Sequence, residues 1–246
     1  MTESRYSEHA PTPALADRVS SVWCQRISAG AQPYRQRVVP DGSADVLWHN
    51  GTLVVAGPDT AWRMVRQAPG STTVGIRFRP GAAGVLFGDV PVHEARDGMT
   101  DLADLWGTRP VRELIEQLGE LEQASEIALL LQQAVIVRLS HVDDVDPVVA
   151  ESVALFDTQR PPPIPDVADR FGLSERQFRR RFVSAVGYGP KTLTSVLRLG
   201  RAMRRLYDPR HRAADVAIAA GYADQPHMTR DMRRLAGITP GELAAG

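Results

Sequence analysis

The chain has 246 residues, with 29 Lys and Arg balanced by 29 Asp and Glu, and a single cysteine. That length accommodates one large or two ordinary domains. One cysteine excludes an internal disulfide and a cysteine-rich zinc site, and no apolar run approaches the ~20 residues that a membrane span needs.

The opening MTESRYSEHAPTP has no apolar signal core, so a cytoplasmic protein without membrane contact is expected. The neutral net charge conceals an asymmetry. Residues 160–246 hold sixteen Arg plus Lys against eight Asp plus Glu, a balance of +8; residues 1–159 hold thirteen against twenty-one, a balance of −8. Only the C-terminal part is therefore expected to meet a polyanion. Fifteen of its sixteen basic residues are Arg, whose planar fork suits phosphates and guanine edges.

In chain order, residues 14–18 read as a short helical turn. Strand-like runs follow at Val19–Ser28, Tyr34–Val39, Asp45–His49, Leu53–Ala56, Ala61–Gln67 and Thr72–Phe78. Gly, Pro, Asp and Asn separate them, and Asn50-Gly51 is a hairpin signal because both residues tolerate positive φ. Six short strands at regular spacing predict a small sandwich or barrel. A short helix after Pro80 and helices at Leu102–Trp106, Val111–Leu118 and Ser125–Ser140 complete this half. The last is apolar on most of its circumference, which fits a core helix or a subunit contact.

This half shows no catalytic pattern. His49, His93 and His141 are scattered without metal-ligand spacing, so no metal and no cofactor are expected. Asp41 and Asp45 read as a turn residue and a strand-start residue, not as a working carboxylate pair. Cys24 lies in an apolar strand run and reads as a buried, inert thiol. Trp23, Trp48, Trp62 and Phe78 fall in strand runs and fill a core or line a pocket. For an effector pocket, the candidate lining is Trp48, Trp62, Arg77 and Arg79. The stretches VVPDGSADVLWHNGTLVVAGPDT and GIRFRPGAAGVLFG resemble the N-terminal domain of a group of bacterial AraC-type regulators. The likeness spans roughly residues 15–106 and implies a cupin-like sensing or dimerising unit.

The C-terminal half begins with Asp146-Pro147, an N-cap with Pro at the first helical position, and a helix to about Phe156. Arg160-Pro161-Pro162-Pro163 is a stiff loop. Then comes an internal repeat. Val167, Ala168, Gly172 and Leu173 correspond to Val216, Ala217, Gly221 and Tyr222 at an offset of 49; Phe178, Phe182, Gly187 and Pro190 correspond to Met228, Met232, Gly237 and Pro240 at an offset of 50. Each copy reads as helix, glycine turn, helix. The alanines sit where the helices cross, and Phe178/Phe182 or Met228/Met232 form an apolar stripe four residues apart. Arg176, Arg179 and Arg180 remain on the other face of the first copy; Gln225, His227, Thr229 and Arg230 remain on that of the second. These types donate to base edges and phosphates. Between the copies, Pro190–Tyr207 predicts about 27 Å of helix. That length lets one monomer span two major-groove segments about 34 Å apart.

GYADQPHMTRDMRRLAGITPGEL resembles the signature of the AraC/XylS-type DNA-binding domain. The resemblance covers the last hundred residues or so and implies that the seven polar residues just named reach the grooves. Pro226 departs from the family pattern, since the family often has a polar residue there. The expectation is an α+β chain: a small N-terminal β-barrel or sandwich with helices over residues 1–106, a helical connector or dimerisation segment over 107–145, and an all-α DNA-binding domain of two helix-turn-helix motifs joined by a long helix over 146–246. The expected activity is non-enzymatic, sequence-specific binding of double-stranded DNA as a transcription regulator. It would be controlled by a small-molecule effector or by homodimerisation, with RNA polymerase as a further partner. One alternative is a DNA-repair alkyltransferase fusion, which needs a cysteine-rich zinc site or a reactive acceptor thiol; Cys24 alone cannot supply the first, and its apolar strand context argues against the second. A protein-interaction module that never touches DNA is the other alternative.

Overall fold

The computed structural model describes residues 4–142, 144–208 and 210–245. Eight strands run β1 (Ser4–His9), β2 (Val19–Ile27), β3 (Tyr34–Val38), β4 (Ala44–His49), β5 (Thr52–Ala56), β6 (Arg63–Gln67), β7 (Thr72–Phe78) and β8 (Met99–Asp101). Six form one antiparallel sheet in the order β1-β2-β7-β4-β5-β8, and β3 pairs with β6 in a separate ribbon. The predicted Asn50-Gly51 turn joins β4 to β5, with Asn50 at φ 46° and Gly51 at φ 83°.

Period-two alternation gives the sheet two different faces. Val22, Val46, Trp48, Val55, Val74, Ile76 and Phe78 point to one of them and form the main core. It is covered by α1 (Gly84–Phe87), α2 (Leu102–Trp106), α3 (Thr108–Gly119) and α4 (Ala124–Leu139). From α4, Ile127, Leu131, Val135 and Leu139 recur at helical spacing and are buried there, whereas Leu129 and Val137 on the same helix are exposed. The all-round apolar sequence of α4 thus has one half in the core. Trp23, Leu47 and Ala56 lie on the opposite face of the sheet.

The C-terminal half is helical: α5 (Pro147–Phe156), α6 (Ile164–Arg170), α7 (Glu175–Val186), α8 (Pro190–Leu206), α9 (Ala213–Ala220), α10 (Gln225–Ala236) and α11 (Pro240–Ala245). It has two cores. One gathers Val149 and Phe156 of α5 with Val167, Ala168, Phe178 and Phe182. The other gathers Val216, Ala217, Met228, Met232 and Leu235. Helix α8 ties them together, placing Leu193 in the first and Leu199, Ala202 and Leu206 in the second.

Candidate nucleic-acid interface and an internal cavity

The two copies of the repeat adopt one local construction. Ala168 and Ala217 are fully buried at the helix crossings. After each first helix the chain turns through a glycine, and the next residue donates back to the alanine carbonyl: Leu173 to Ala168 at 3.0 Å and Tyr222 to Ala217 at 2.9 Å. Ser174 then caps α7 in a reciprocal box with Gln177, and Asp224 caps α10 by accepting from the His227 amide at 2.7 Å. Pro226 sits in the first turn of α10, where no amide proton is needed. Both second helices end on a left-handed glycine, Gly187 at φ 91° and Gly237 at φ 67°.

With Phe178 and Phe182 turned inward, α7 presents Arg176, Arg179 and Arg180 to solvent. Among the described residues, none of the three is engaged in an ion pair or hydrogen bond. Together with Lys191 they line a groove of about 1200 Å³ that Pro91 and His93 of the N-terminal half also border. Arg181 is different: its guanidinium is held by Asp146 at 2.8 and 2.9 Å.

On α10 the four candidates divide. Gln225 and Arg230 are exposed, and Arg230 likewise has no partner among the described residues. His227 is half-buried, edge-on to the Tyr222 ring at 5.0 Å, with Nδ1 accepting from the Ala223 amide at 3.5 Å and Nε2 3.9 Å from Asp231. Thr229 donates its hydroxyl to the Gln225 carbonyl at 3.0 Å. Two of the four polar groups are therefore occupied by partners in α10 and in the turn before it.

The N-terminal half contains a cavity of about 380 Å³ between the second face of the six-stranded sheet and the β3–β6 ribbon. Of the four residues expected to line a pocket, Arg77 does so. Trp48 lies on the opposite face, buried under the helices, because the period of two sends alternate residues of β4 to opposite sides. Arg79 follows the end of β7 and donates to the Ala16 carbonyl at 3.3 Å. Trp62 precedes β6 and packs against the C-terminal half. The lining comes instead from Trp23, Asp45, Leu47, His49, Gln36 and Gln67.

Asp45 departs from the reading of a plain strand-start residue. It grips Arg77 through two contacts of 3.1 Å, and Arg77 also lies 3.5 Å from Asp41 and 3.7 Å from Glu8. Burial pushes the Asp45 carboxyl up to about 6, against the opposing pull of Arg77. The Trp23 indole lies across Gly75, where a Cβ would stand 2.3 Å from the ring, so this glycine gives the cavity its tryptophan wall.

Sequence reasoning also missed a contact between the halves. The segment between β5 and β6 touches the glycine caps of both second helices. A Cβ on Gly187 would lie 2.5 Å from Pro58, and one on Gly237 would lie 2.3 Å from the Trp62 ring. Arg37 stacks on Trp62 at 4.5 Å and donates to the Ala236 carbonyl at 2.8 Å. Arg37 borders the cavity as well, as do Gly57, Asp59 and Arg63 around the same segment. A pair of small residues facing a Pro and a Trp far away in sequence leaves no local signal.

Comparison with known proteins places these parts. A helix-turn-helix domain family matches residues 167–246, and a family described as Domain of unknown function (DUF6597) matches residues 7–101. An AraC-like transcription regulator from Streptomyces lividans is 29% identical over 99 residues, which are 39% of this chain and 33% of that protein. The chain thus spans about a third of the length of that curated relative. A transcriptional regulator from Chromobacterium violaceum with an AraC-type DNA-binding domain is 31% identical over 40% of this chain and 90% of its own, with a TM-score of 0.38. ToxT from Vibrio cholerae is 8% identical over 99% of this chain and 98% of its own, with a TM-score of 0.47.

Proposed function

The chain belongs to the AraC-type helix-turn-helix regulators through residues 167–246, and from that premise we propose that it is a one-component transcription regulator whose paired motifs read two adjacent major-groove segments of double-stranded DNA. The observation that carries this is the duplicated construction. Two helices, α7 and α10, are each capped, each seated on its own core and each turned so that unpaired polar side chains face outward. Arg176, Arg179 and Arg180 act from the first; Gln225 and Arg230 act from the second. Helix α8, 17 residues and about 25 Å long, sets their separation.

The N-terminal domain acts as the sensor. Its cavity is bordered by Arg37 and by the segment that rests on both glycine caps, which supports a direct mechanical route from ligand to DNA. Occupancy that shifts β3 or β6 repositions Arg37, Trp62 and Pro58, and with them the two motifs. Self-association belongs to the same reading: the exposed Leu129 and Val137 on α4 support a homodimer contact. RNA polymerase is the further partner of a promoter-bound regulator. The regulator works without catalysis; burial raises the Cys24 thiol above its ordinary value, which suits packing and not nucleophilic repair.

Selection of bound duplexes from a random library tests the function. A shared motif with two conserved segments is expected, with recovery lost when Arg180 and Arg230 are both replaced by Ala. Retention of the same motif by that double variant would show that other residues read the DNA; absence of any motif from the unmodified chain points to a module that does not read DNA.

A further inference from the structure

The groove along α7 has two sides. One carries Arg176, Arg179 and Arg180, all exposed and unpaired among the described residues, with Lys191 beside them in the first turn of α8. The other is Pro91 and His93, from the N-terminal half. Among the described residues that line the groove, Glu175 is the only acid. A concave surface with this balance of charge suits a polyanion. A duplex that brings its bases to Arg180 also brings its phosphates to the edges of this groove.

His93 is held in place by its neighbours. It lies in a single helical turn, Val92–Ala95, in which Val92 and Ala95 are 1% and 3% exposed. That turn sits on the end of α7, where a Cβ on Gly187 would lie 3.4 Å from Val92 Cγ1. At three residues per turn, successive side chains point ~120° apart. His93 therefore faces the groove, while the adjacent Glu94 is not part of its wall. The imidazole is exposed and makes no hydrogen bond or ion pair among the described residues. A neutral imidazole has one N–H to donate and a protonated one has two. Gly187 stands seven residues after Arg180, about 10.5 Å along the helix. A DNA strand carries one charge per ~3.4 Å of its axis, so that interval is roughly three phosphates long.

Resting on the reading of α7 as a DNA-contacting helix, we propose that the N-terminal half is itself part of the DNA interface: His93 donates to a backbone phosphate beside the segment that α7 reads. The contact fixes position and not sequence, because every duplex has the same phosphates. It gives the N-terminal half a direct hold on the DNA, separate from its contacts with the glycine caps.

The test uses the full chain with His93→Lys, His93→Glu and His93→Ala. Glu120→Lys, at an exposed residue after α3 that does not line the groove, controls for net charge. Anisotropy titrations on a selected duplex and on an unrelated one give Kd and its salt slope, and circular dichroism checks the fold. At about 0.15 M salt, charges more than ~8 Å apart are largely screened, so only a residue close to the duplex responds. His93→Lys should tighten binding roughly threefold and steepen the salt slope by about one. His93→Ala should weaken binding roughly threefold and His93→Glu about tenfold or more, on both duplexes alike. The inference is overturned if all three variants bind within about twofold of the natural chain, as loss of even one weak hydrogen bond would exceed that. Tighter binding by His93→Ala or His93→Glu overturns it too, since His93 would then obstruct the groove, as does a response to Glu120→Lys equal to that of His93→Lys. If Arg180→Ala weakens binding in those cases, the reading of α7 stands and only the contact from the N-terminal half falls. If neither Arg180→Ala nor Arg230→Ala alters binding, the reading falls and the inference with it.

Discussion

Thr229 and Arg230 are neighbours on α10, yet only the arginine leaves its polar group free. Arg230→Ala should therefore weaken specific DNA binding by ~1–3 kcal/mol, whereas Thr229→Val, which removes a hydroxyl already turned into the helix, should change it by less than ~0.5 kcal/mol. Anisotropy titrations on one selected duplex measure both. The exposed arginines of α7 were legible from sequence, because the Phe178–Phe182 stripe fixes which face remains. The engagement of His227 was not, since it needs Tyr222 and Asp231 brought around the ring by the turn and the helix. Asp45 shows the same limit: its place on a strand is legible, but not that the far ribbon β3–β6 closes over that face. Its folded carboxyl titrates near 6, above the ~3.9 of an unfolded chain, so folding favours the protonated form. The associated stability is fully present below pH ~4 and is lost as pH rises through 6, on the order of 2–3 kcal/mol. Denaturant unfolding from pH 4 to 7 should show this decline in the natural chain and a flatter profile in Asp45→Asn.

Among the elements, the paired helices were read well because every defining feature is local: an N-cap, a glycine turn and an apolar stripe at four-residue spacing. Phe178 packs against Phe156 and Phe182 at 6.4 and 5.7 Å, so Phe178→Ala should destabilise the chain by ~3–5 kcal/mol in denaturant unfolding. Six of the strands were legible from apolar runs. β1 was missed because SRYSEH is polar and lies at the sheet edge, and β8 because it has three residues. Trp48 was placed in a pocket because position on a strand does not say which face is covered. The contact between Trp62 and Gly237 pairs elements 175 residues apart, and a double-mutant cycle isolates it. Gly237→Ala brings both a left-handed strain and a collision with the indole. In a Trp62→Ala background the collision with the indole is gone and the strain of ~1–2 kcal/mol and the close approach to the Arg37 guanidinium remain, so the two substitutions should be non-additive in unfolding experiments.

At the scale of the whole molecule, the chain is an acidic β-rich half resting on a basic helical half, with Pro58, Trp62 and Arg37 meeting the ends of both second helices. Under the proposed function, that contact restrains the spacing of α7 and α10. Inserting two base pairs between the selected segments should cost the natural chain at least tenfold in affinity, and Trp62→Ala should reduce the penalty. The division into an acidic and a basic half was visible in sequence; the contact that joins them was not, because it is made of single residues scattered from Arg37 to Gly237. The central claim is that each motif reads its own stretch of duplex. Hydroxyl-radical footprinting of a selected site tests it most directly. Two protected segments about 10 base pairs apart are predicted, with Arg180→Ala exposing one and Arg230→Ala exposing the other. A single protected segment that fades uniformly with either substitution would contradict it.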